Sequence, residues 1–314
     1  MTTIWVLVDP RAGTAAQALG VADALGLPFA EKKLRFTPLA ALPNALRGAS
    51  RLGVEADIAP PWPELVISAG RRSAPLARWI KRQSQGKAKL VHIMDPGPSG
   101  REEFDLIAIP HHDGKVKLAP NMLGVTGAPH RLTPEALKEA AAIWGPRFAH
   151  LKKPLIGLLV GGSTRKKPFT PALAGELGRL AAQMSKECGG TLLVTTSRRT
   201  DQEAEKALFA ALPPTSFIHN WREGGENPYR GFLAVAEALI VTGDSMTMAS
   251  EACANGGPVF IFAPEGSVSA KHARLHEELY ALGYARSLTG QWSAWTHPPL
   301  NAAFAVVEAI SKRS

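Results

Sequence analysis

Short apolar runs alternate with longer stretches of helical periodicity almost from end to end of this chain, and no other feature limits the possible folds as tightly. The runs lie at residues 4–8, 65–68, 90–93, 106–109, 155–160, 191–195, 238–241 and 259–262. Between them, residues 14–25, 75–82, 134–149, 171–188 and 202–212 carry apolar side chains at helical spacing. A strand, a helix and a further strand in succession make a crossover, which leaves the strands parallel and puts helices on the faces of the sheet. The pattern restarts near residue 150. There a helical stretch ends in HLKKP, Pro154 stops it, and PLIGLLVGG opens a new strand into a glycine turn, as IWVLVDPRAG does at the start. The expected fold class is α/β, with two doubly wound domains at residues 1–150 and 151–297. Within the tail, 298–314, residues 300–310 are apolar at helical spacing, so a terminal helix is expected that packs back on the first domain or stays with the second.

A chain of 314 residues exceeds the usual size of a single core, in keeping with two domains of about 150 residues. Apolar residues make up 45% and charged residues 20%, an ordinary globular balance that leaves no room for a long disordered tail. The formal charge of +9 favours anionic partners. No basic run alternates with aromatics and no zinc-finger or RNA-binding signature occurs, so nucleic acid is not an expected partner. An anionic membrane surface fits the charge better. Cys188 and Cys253 lie far apart without a C-x-x-C, which argues against a disulfide framework or structural zinc. MTTIWVLVDPR lacks a basic region before its apolar run and meets Asp9 at once, so it reads as a first strand and not as a signal peptide. No run approaches the ~18 apolar residues of a membrane span. The expected setting is cytoplasmic, with any membrane contact peripheral on the inner face.

In open parallel sheets the ligand crevice lies at the carboxyl ends of the strands, so the loops after them are where chemistry is expected. In the second domain these loops read GGSTRKKP, TSRRT and TGDS. Gly161, Gly162 and Ser163 let a backbone turn approach a ligand closely, and Arg165, Lys166 and Lys167 could neutralise phosphate. The loop is no P-loop, because no Gly-Lys-Ser/Thr closes it, and a tight turn with solvated cations is the competing reading. In Thr196, Ser197, Arg198 and Arg199, the serine can cap the following helix and the arginines can be surface charges. The segment VTGDSMTMASEACANGGPVFIF is the most informative. Ser245 is a candidate helix cap that leaves backbone N–H groups at the mouth of the crevice. At about 100° per residue, Asp244 and Glu251 fall on nearly one helix face about 10 Å apart. That spacing suits a diphosphate at the helix tip and a ribose beside the next turns, with Glu251 accepting from two ribose hydroxyls. The competing reading for Glu251 is a buried ion pair.

In the first domain, Arg11-Ala-Gly13-Thr14 makes the first strand-to-helix turn with Gln17 one turn on, but it lacks G-x-G-x-x-G, so a dinucleotide site is not expected. SAGRR, residues 68–72, repeats the strand, glycine and cation theme and carries Arg71. HIMDP and PHHDG place His92, Asp95, His111, His112 and Asp113 at strand ends. Without a third spaced ligand a metal is not expected, and a general base or a structural hydrogen bond is the better use.

GENPYRGFLAVAEALIVTGDSMTMASEACANGGPVFIF, together with LLVTTSRRT and DPRAGTAAQALGVADALG, resembles the elongated-mitochondria fission protein family. SAGRR, PHHD, Asn121, Gly127, the GGS turn, TTSRRT, ENPY, GDSMTMASEA and LHEELYALGYAR occur in family order over nearly the whole chain. That family looks like the GT-B glycosyltransferases, which implies two Rossmann-like domains facing a cleft, with a nucleotide sugar in the second. On the resemblance, Glu251 holds the ribose, Gly243, Asp244, Ser245 and Met246 form the helix tip facing diphosphate or sugar, and Gly161 to Ser163 turn near phosphate. Thr196 to Arg199 match a loop near the nucleotide, and Gly13 with Thr14 matches the glycine turn that faces the donor. Arg71 of SAGRR and Asn227 of ENPY complete the expected substrate-binding set. Met94 departs from the pattern, where a glutamine is expected before Asp-Pro.

A short-chain epimerase needs Tyr-x-x-x-Lys, but Tyr229, Tyr280 and Tyr284 are followed at that spacing by Leu233, Tyr284 and Leu288, and no Asp-x-Asp is present for a metal-clamped transferase. The resemblance therefore implies a metal-independent glycosyltransferase that uses a nucleoside diphosphate sugar as substrate and needs no cofactor. Its expected acceptor is a lipid or lipopolysaccharide-type glycan at the cytosolic membrane face, with His112, Asp113 or Asp95 as base. A nucleotide-sugar 2-epimerase on the same fold and a non-catalytic membrane-associated scaffold are the alternatives.

Overall fold

The computed structural model describes residues 3–114 and 117–313. The chain forms two compact units, Met1–Arg131 with Asn301–Ser314, and Leu132–Leu300. In the first run β1 (Ile4–Val8), α1 (Ala12–Leu25), β2 (Phe29–Lys33), β3 (Arg35–Phe36), α2 (Asn44–Arg47), β4 (Val54–Glu55), β5 (Leu65–Ala69), α3 (Ala74–Gln83), β6 (Lys89–Ile93), β7 (Leu106–Pro110) and β8 (Met122–Val125). The second holds α4 (Pro134–Phe148), β9 (Leu155–Leu159), α5 (Pro171–Cys188), β10 (Thr191–Thr195), α6 (Gln202–Ala210), β11 (Phe217–His219), α7 (Tyr229–Val235), β12 (Ala238–Thr242), α8 (Met246–Ala252), β13 (Val259–Phe262), α9 (Ala270–Ala281) and β14 (Arg286–Ser287). Helix α10 (Ala302–Ser311) belongs to the first unit.

The first unit's six-stranded sheet is parallel, in the order β2-β1-β5-β6-β7-β8, with β3 and β4 as a separate antiparallel pair. Successive side chains of a strand point to opposite faces, so an unbroken apolar run feeds two cores at once. Ile4, Val6, Ile67 and Val91 pack with α1 and α10, while Trp5, Leu7, Val66 and Leu90 pack with α3. The second unit repeats this arrangement in the order β11-β10-β9-β12-β13-β14. Leu155, Leu159, Leu239 and Val241 pack towards α4 and α7 to α9, and Ile156, Leu158, Leu192 and Ile240 pack towards α5 and α6. The strand order reverses direction between β1 and β5 in the first sheet and between β9 and β12 in the second, and such a reversal opens a crevice above the strand ends.

The unit boundary corrects the expected one. Helix α4, read with the first domain, packs in the second unit, because Trp144 and Phe148 stack on each other and Phe148 meets Phe217 and Phe232. The stretch 298–300, read with the tail, also stays there, and the Leu300 N–H donates to the Cys253 carbonyl at 2.9 Å. Helix α10 packs on α1, with Ala302, Ala303 and Val306 in the same core as Ala18 and Val21. No helix among the described residues is long and apolar enough to cross a membrane.

Candidate functional site

At the strand-order reversal of the second unit, the loops after β9, β10 and β12 interlock. The Gly161 N–H donates to Thr242 Oγ1 at 2.8 Å, and its carbonyl accepts from Ser197 Oγ and from Thr200 Oγ1, the latter at 2.8 Å. Ser163 N–H donates to the Arg199 carbonyl at 3.0 Å. Both glycines are required by space. A Cβ on Gly161 would run into the Asp244 carboxylate, and Gly162, at φ 133°, lies against the Arg199 backbone. GGS, TSRRT and GDS thus form one assembly.

Asp244 is its charged centre. Arg199 Nη1 lies 2.5 Å from Asp244 Oδ2, an ion pair that compensates this largely buried carboxylate. A cavity of about 20 Å³ borders Asp244 with Gly162, Gly243 and Phe262, the size of a single water. Two histidines of α9 close this side, His272, and His276 at the start of the LHEELYALGYAR motif. Ser269 caps α9, its Oγ 2.6 Å from His272 Nδ1. Burial lowers the pKa of His272, while the Asp244 charge and carbonyl oppose that shift. His276 lies against Gly243, and burial pushes it down to about 4, with nearby His272 adding to the shift and the Gly243 carbonyl opposing it. The sequence signals for this pair are two histidines one turn apart behind a serine, and the LHEELYALGYAR motif that holds His276.

Ser245 caps α8 as expected, accepting from the Met248 N–H at 3.3 Å. Glu251, one residue from the end of this seven-residue helix, has no ion pair among the described residues. It accepts a 2.5 Å hydrogen bond from the Tyr229 O–H. Burial pushes its pKa up to about 7, against the lowering effects of Tyr229 and of the Arg230 charge. Tyr229 is held well above its ordinary value by burial and by the Glu251 charge.

Other expected site residues have structural work. The Thr196 hydroxyl donates to Glu205 at 3.0 Å and accepts from the Trp221 N–H at 3.1 Å. Ser197 does not cap α6. Asp201 does, accepting from Ala204 N–H at 2.9 Å, because Ser197 is bound to the Gly161 carbonyl. Asn227 Oδ1 accepts from Tyr229 N–H at 3.0 Å at the start of α7, and Met246 packs against the core. Arg165 and Arg198 are exposed cations beside the assembly.

In the first unit, the loops after β1, β5 and β6 also meet. The Gly70 Cα faces Thr14, Arg11 and Met94, while Gly13 and Thr14 lie in the first turn of α1. Arg11 grips buried Asp9 through Nε at 2.8 Å and Nη2 at 2.6 Å. Met94 takes a left-handed φ of 72°, a conformation that costs a non-glycine residue about 1–2 kcal/mol. Arg71 reaches the Leu42 carbonyl at 3.0 Å. Asp95 is bound by Arg101 at 2.6 Å and by the Gly97 N–H at 2.8 Å. His112 is buried with Nε2 3.9 Å from Asp113 Oδ1. His92 is buried on Ser68 at 2.7 Å and pushed down to about 3 by burial, against the Asp95 charge. Among the described residues no group of three or more His, Cys, Asp or Glu side chains is arranged to hold a metal.

A hollow of about 810 Å³ is lined by Lys152, Arg179, Lys186 and Thr191 at the opening end of β10, away from the crevice end of that sheet.

The family model described as Mitochondrial fission ELM1 matches residues 12–314. The chain is 28% identical to mitochondrial fission protein ELM1 of Arabidopsis thaliana over 76% of its own length, and the match spans 61% of the plant protein. It is 27% identical to an uncharacterized protein of Rickettsia prowazekii, covering 98% of this chain and 97% of that one. Among solved structures it is similar to the UDP-GlcNAc 2-epimerase of Methanocaldococcus jannaschii, with a TM-score of 0.51, 10% identity and 99% of each chain covered. At this identity the likeness shows the fold alone, one shared with a UDP-GlcNAc 2-epimerase.

Proposed function

The chain belongs to the mitochondrial fission ELM1 family, and on that footing we propose that its second unit binds a nucleoside diphosphate sugar and that the protein is a metal-independent glycosyltransferase. The observation that carries this reading is the interlocking of GGS, TSRRT and GDS at the strand-order reversal, with Glu251 and Tyr229 on the adjoining helices. The similar archaeal epimerase acts, by its name, on a UDP-linked sugar and lends support through fold alone.

Transfer breaks the bond from the anomeric carbon to the diphosphate, so negative charge grows on the leaving oxygen. Without a metal, that charge has to be met by oriented N–H groups and cations. Arg165, Lys166, Lys167 and Arg198 are cations at these loops with no carboxylate partner among the described residues, and Arg199 is shared with Asp244. A carboxylate repels a diphosphate, so the role assigned to Asp244 is to orient Arg199 and to accept from sugar hydroxyls. Glu251 takes the ribose hydroxyls. The acceptor, in this reading a lipid or lipopolysaccharide-type glycan, loses its hydroxyl proton to a base, for which His112 and Asp113 are the candidates.

A thermal-shift panel of UDP, GDP, ADP and CMP with their sugars tests the donor site. One nucleotide is expected to raise the unfolding temperature of the wild type and to lose at least about tenfold in affinity against Glu251→Ala, the usual cost of a charge-assisted hydrogen bond. No response to any member of the panel would overturn the donor-site reading. Conversion of the bound sugar in the absence of any acceptor would assign the protein to the 2-epimerases instead.

A further inference from the structure

The first unit turns its patterning inside out between residues 38 and 53. Leu39, Leu42, Leu46 and Leu52 are 48%, 36%, 73% and 42% exposed, whereas Asn44 and Arg47 are buried. A surface helix ordinarily does the reverse. The inversion is held by specific bonds. Asn44 Nδ2 donates to the carbonyls of Arg71 at 2.8 Å and Pro96 at 2.7 Å. Arg47 donates to the carbonyls of Leu52 at 3.0 Å and Arg72 at 3.1 Å. Gly53 lies against the backbone of Leu39 and Ala40, and its carbonyl accepts from Thr37 N–H at 3.1 Å, which folds the two ends of the segment together. Four leucines are thus presented to solvent by a fixed backbone, not by a frayed loop.

Their surroundings are cationic. From Lys32 to Gly53 the chain carries Lys32, Lys33, Arg35, Arg47 and Arg51 and no acidic residue. Arg71 and Arg72 join the group, for Arg71 bonds the Leu42 carbonyl and both charges act on Arg47. Glu31, next to Lys32, Glu55, opposite Arg35 in the β3–β4 register, and Asp57 are the nearby acids in sequence. No carboxylate pairs with Arg51, Arg71 or Arg72 among the described residues. Several of the cations lie over aromatic rings instead, Arg51 over Trp79 at 5.3 Å, Arg72 over Phe36 at 5.7 Å and Lys32 over Trp5 at 4.6 Å. Trp62 bridges Trp5 and Trp79 edge-on, with ring centroids 6.0 and 5.8 Å apart. Exposed leucines beside a rim of arginines that have no carboxylate partner among the described residues are the composition that seats a protein at a headgroup layer.

We propose that this face is a peripheral docking surface for an anionic phospholipid bilayer, with Leu39, Leu42, Leu46 and Leu52 entering the boundary of headgroups and acyl chains and Arg51, Arg71 and Arg72 meeting lipid phosphates. A second copy of the chain is a worse occupant, because a two-fold contact would set the basic rim against itself. The inference goes beyond nucleotide binding and does not depend on it, since the donor loops lie in the other unit.

The test is sedimentation of the full chain with phosphatidylcholine vesicles, with and without about 30 mol% phosphatidylglycerol. Binding is expected only to the anionic vesicles, weakening as salt rises. Leu42→Asp with Leu46→Asp should lower that binding at least about tenfold, and Arg51→Glu about fivefold. Leu282→Asp, at an exposed leucine of the second unit, should leave it unchanged. The unfolding temperature of each variant is measured alongside. If the double variant is unfolded, Leu46→Asp alone replaces it. Failure of wild type to bind anionic vesicles, equal binding to neutral ones, or unaltered binding by folded leucine variants would overturn the proposal. So would a dimer in light scattering that the leucine variants dissolve while vesicle binding persists. A retained nucleotide response in a variant that no longer binds vesicles separates this result from the donor-site reading.

Discussion

A carboxyl group drawn out of water gives up its ionised form unless donors or cations replace the hydration it loses. Glu251 has a single O–H from Tyr229, and burial pushes its pKa up to about 7 from an ordinary value of 4.5. The folded state therefore holds a proton that the unfolded chain releases between those values. Stability from this group is fully present below about pH 4.5 and is lost as pH rises to about 7. Thermal unfolding of Glu251→Gln should show a flatter pH dependence across that window, and the variant should be the more stable protein at pH 8. A slope identical to wild type would remove Glu251 from the account. Ribose hydroxyls donate best to the ionised form, so nucleotide binding near pH 6.5 should also release a proton from wild type and not from this variant. The spacing of Asp244 and Glu251 and the cap at Ser245 could be read from neighbouring letters. Tyr229, His272 and His276 could not, because their place depends on how α7 and α9 pack. Ser197 misled for a related reason: serine and aspartate both cap helices, and only the interlocked loops decide which one is free to do so.

At the level of elements, the central strands declared themselves because burial on both faces demands unbroken apolar runs. Residues 191–195 and 259–262 match β10 and β13 end to end. The strands left out of that reading are mostly at sheet edges. β2, FAEKK, has exposed and half-exposed residues, and β11 and β14 contain three and two residues. Their pairing comes from the neighbouring strand and not from their own composition. The loops follow a stricter logic. Gly162 combines a φ of 133° with contact against the Arg199 backbone, so no rotamer change can admit a side chain. Gly162→Ala should cost upwards of about 1 kcal/mol in urea unfolding and abolish any nucleotide response, by forcing the GGS turn away from TSRRT. A variant with unchanged stability and response would mean that the turn tolerates that displacement.

For the whole molecule, the repeat of strand, helix and glycine turn was visible near residue 150, but the boundary between units was not. Proline and glycine punctuate a chain without saying which core the preceding helix will join, and Trp144 and Phe148 join the second. The excursion of residues 132–300 out of the first unit leaves α10 to complete it. Removing residues 301–313 should uncover the α1 face around Ala18 and Val21 and destabilise the first unit by about 3–5 kcal/mol, measured as a separate early step in urea unfolding. The second unit should retain its later transition. A single transition at the wild-type midpoint would show that α10 adds little. The same discontinuity sets an order of assembly during synthesis. A ribosome delivers all six strands of the N-terminal sheet early but withholds the helix that seals one of its faces until the other unit has already been made. The unit encoded first is the last to be finished, so the apolar face of α1 stays uncovered for most of translation, when it is most in need of a chaperone.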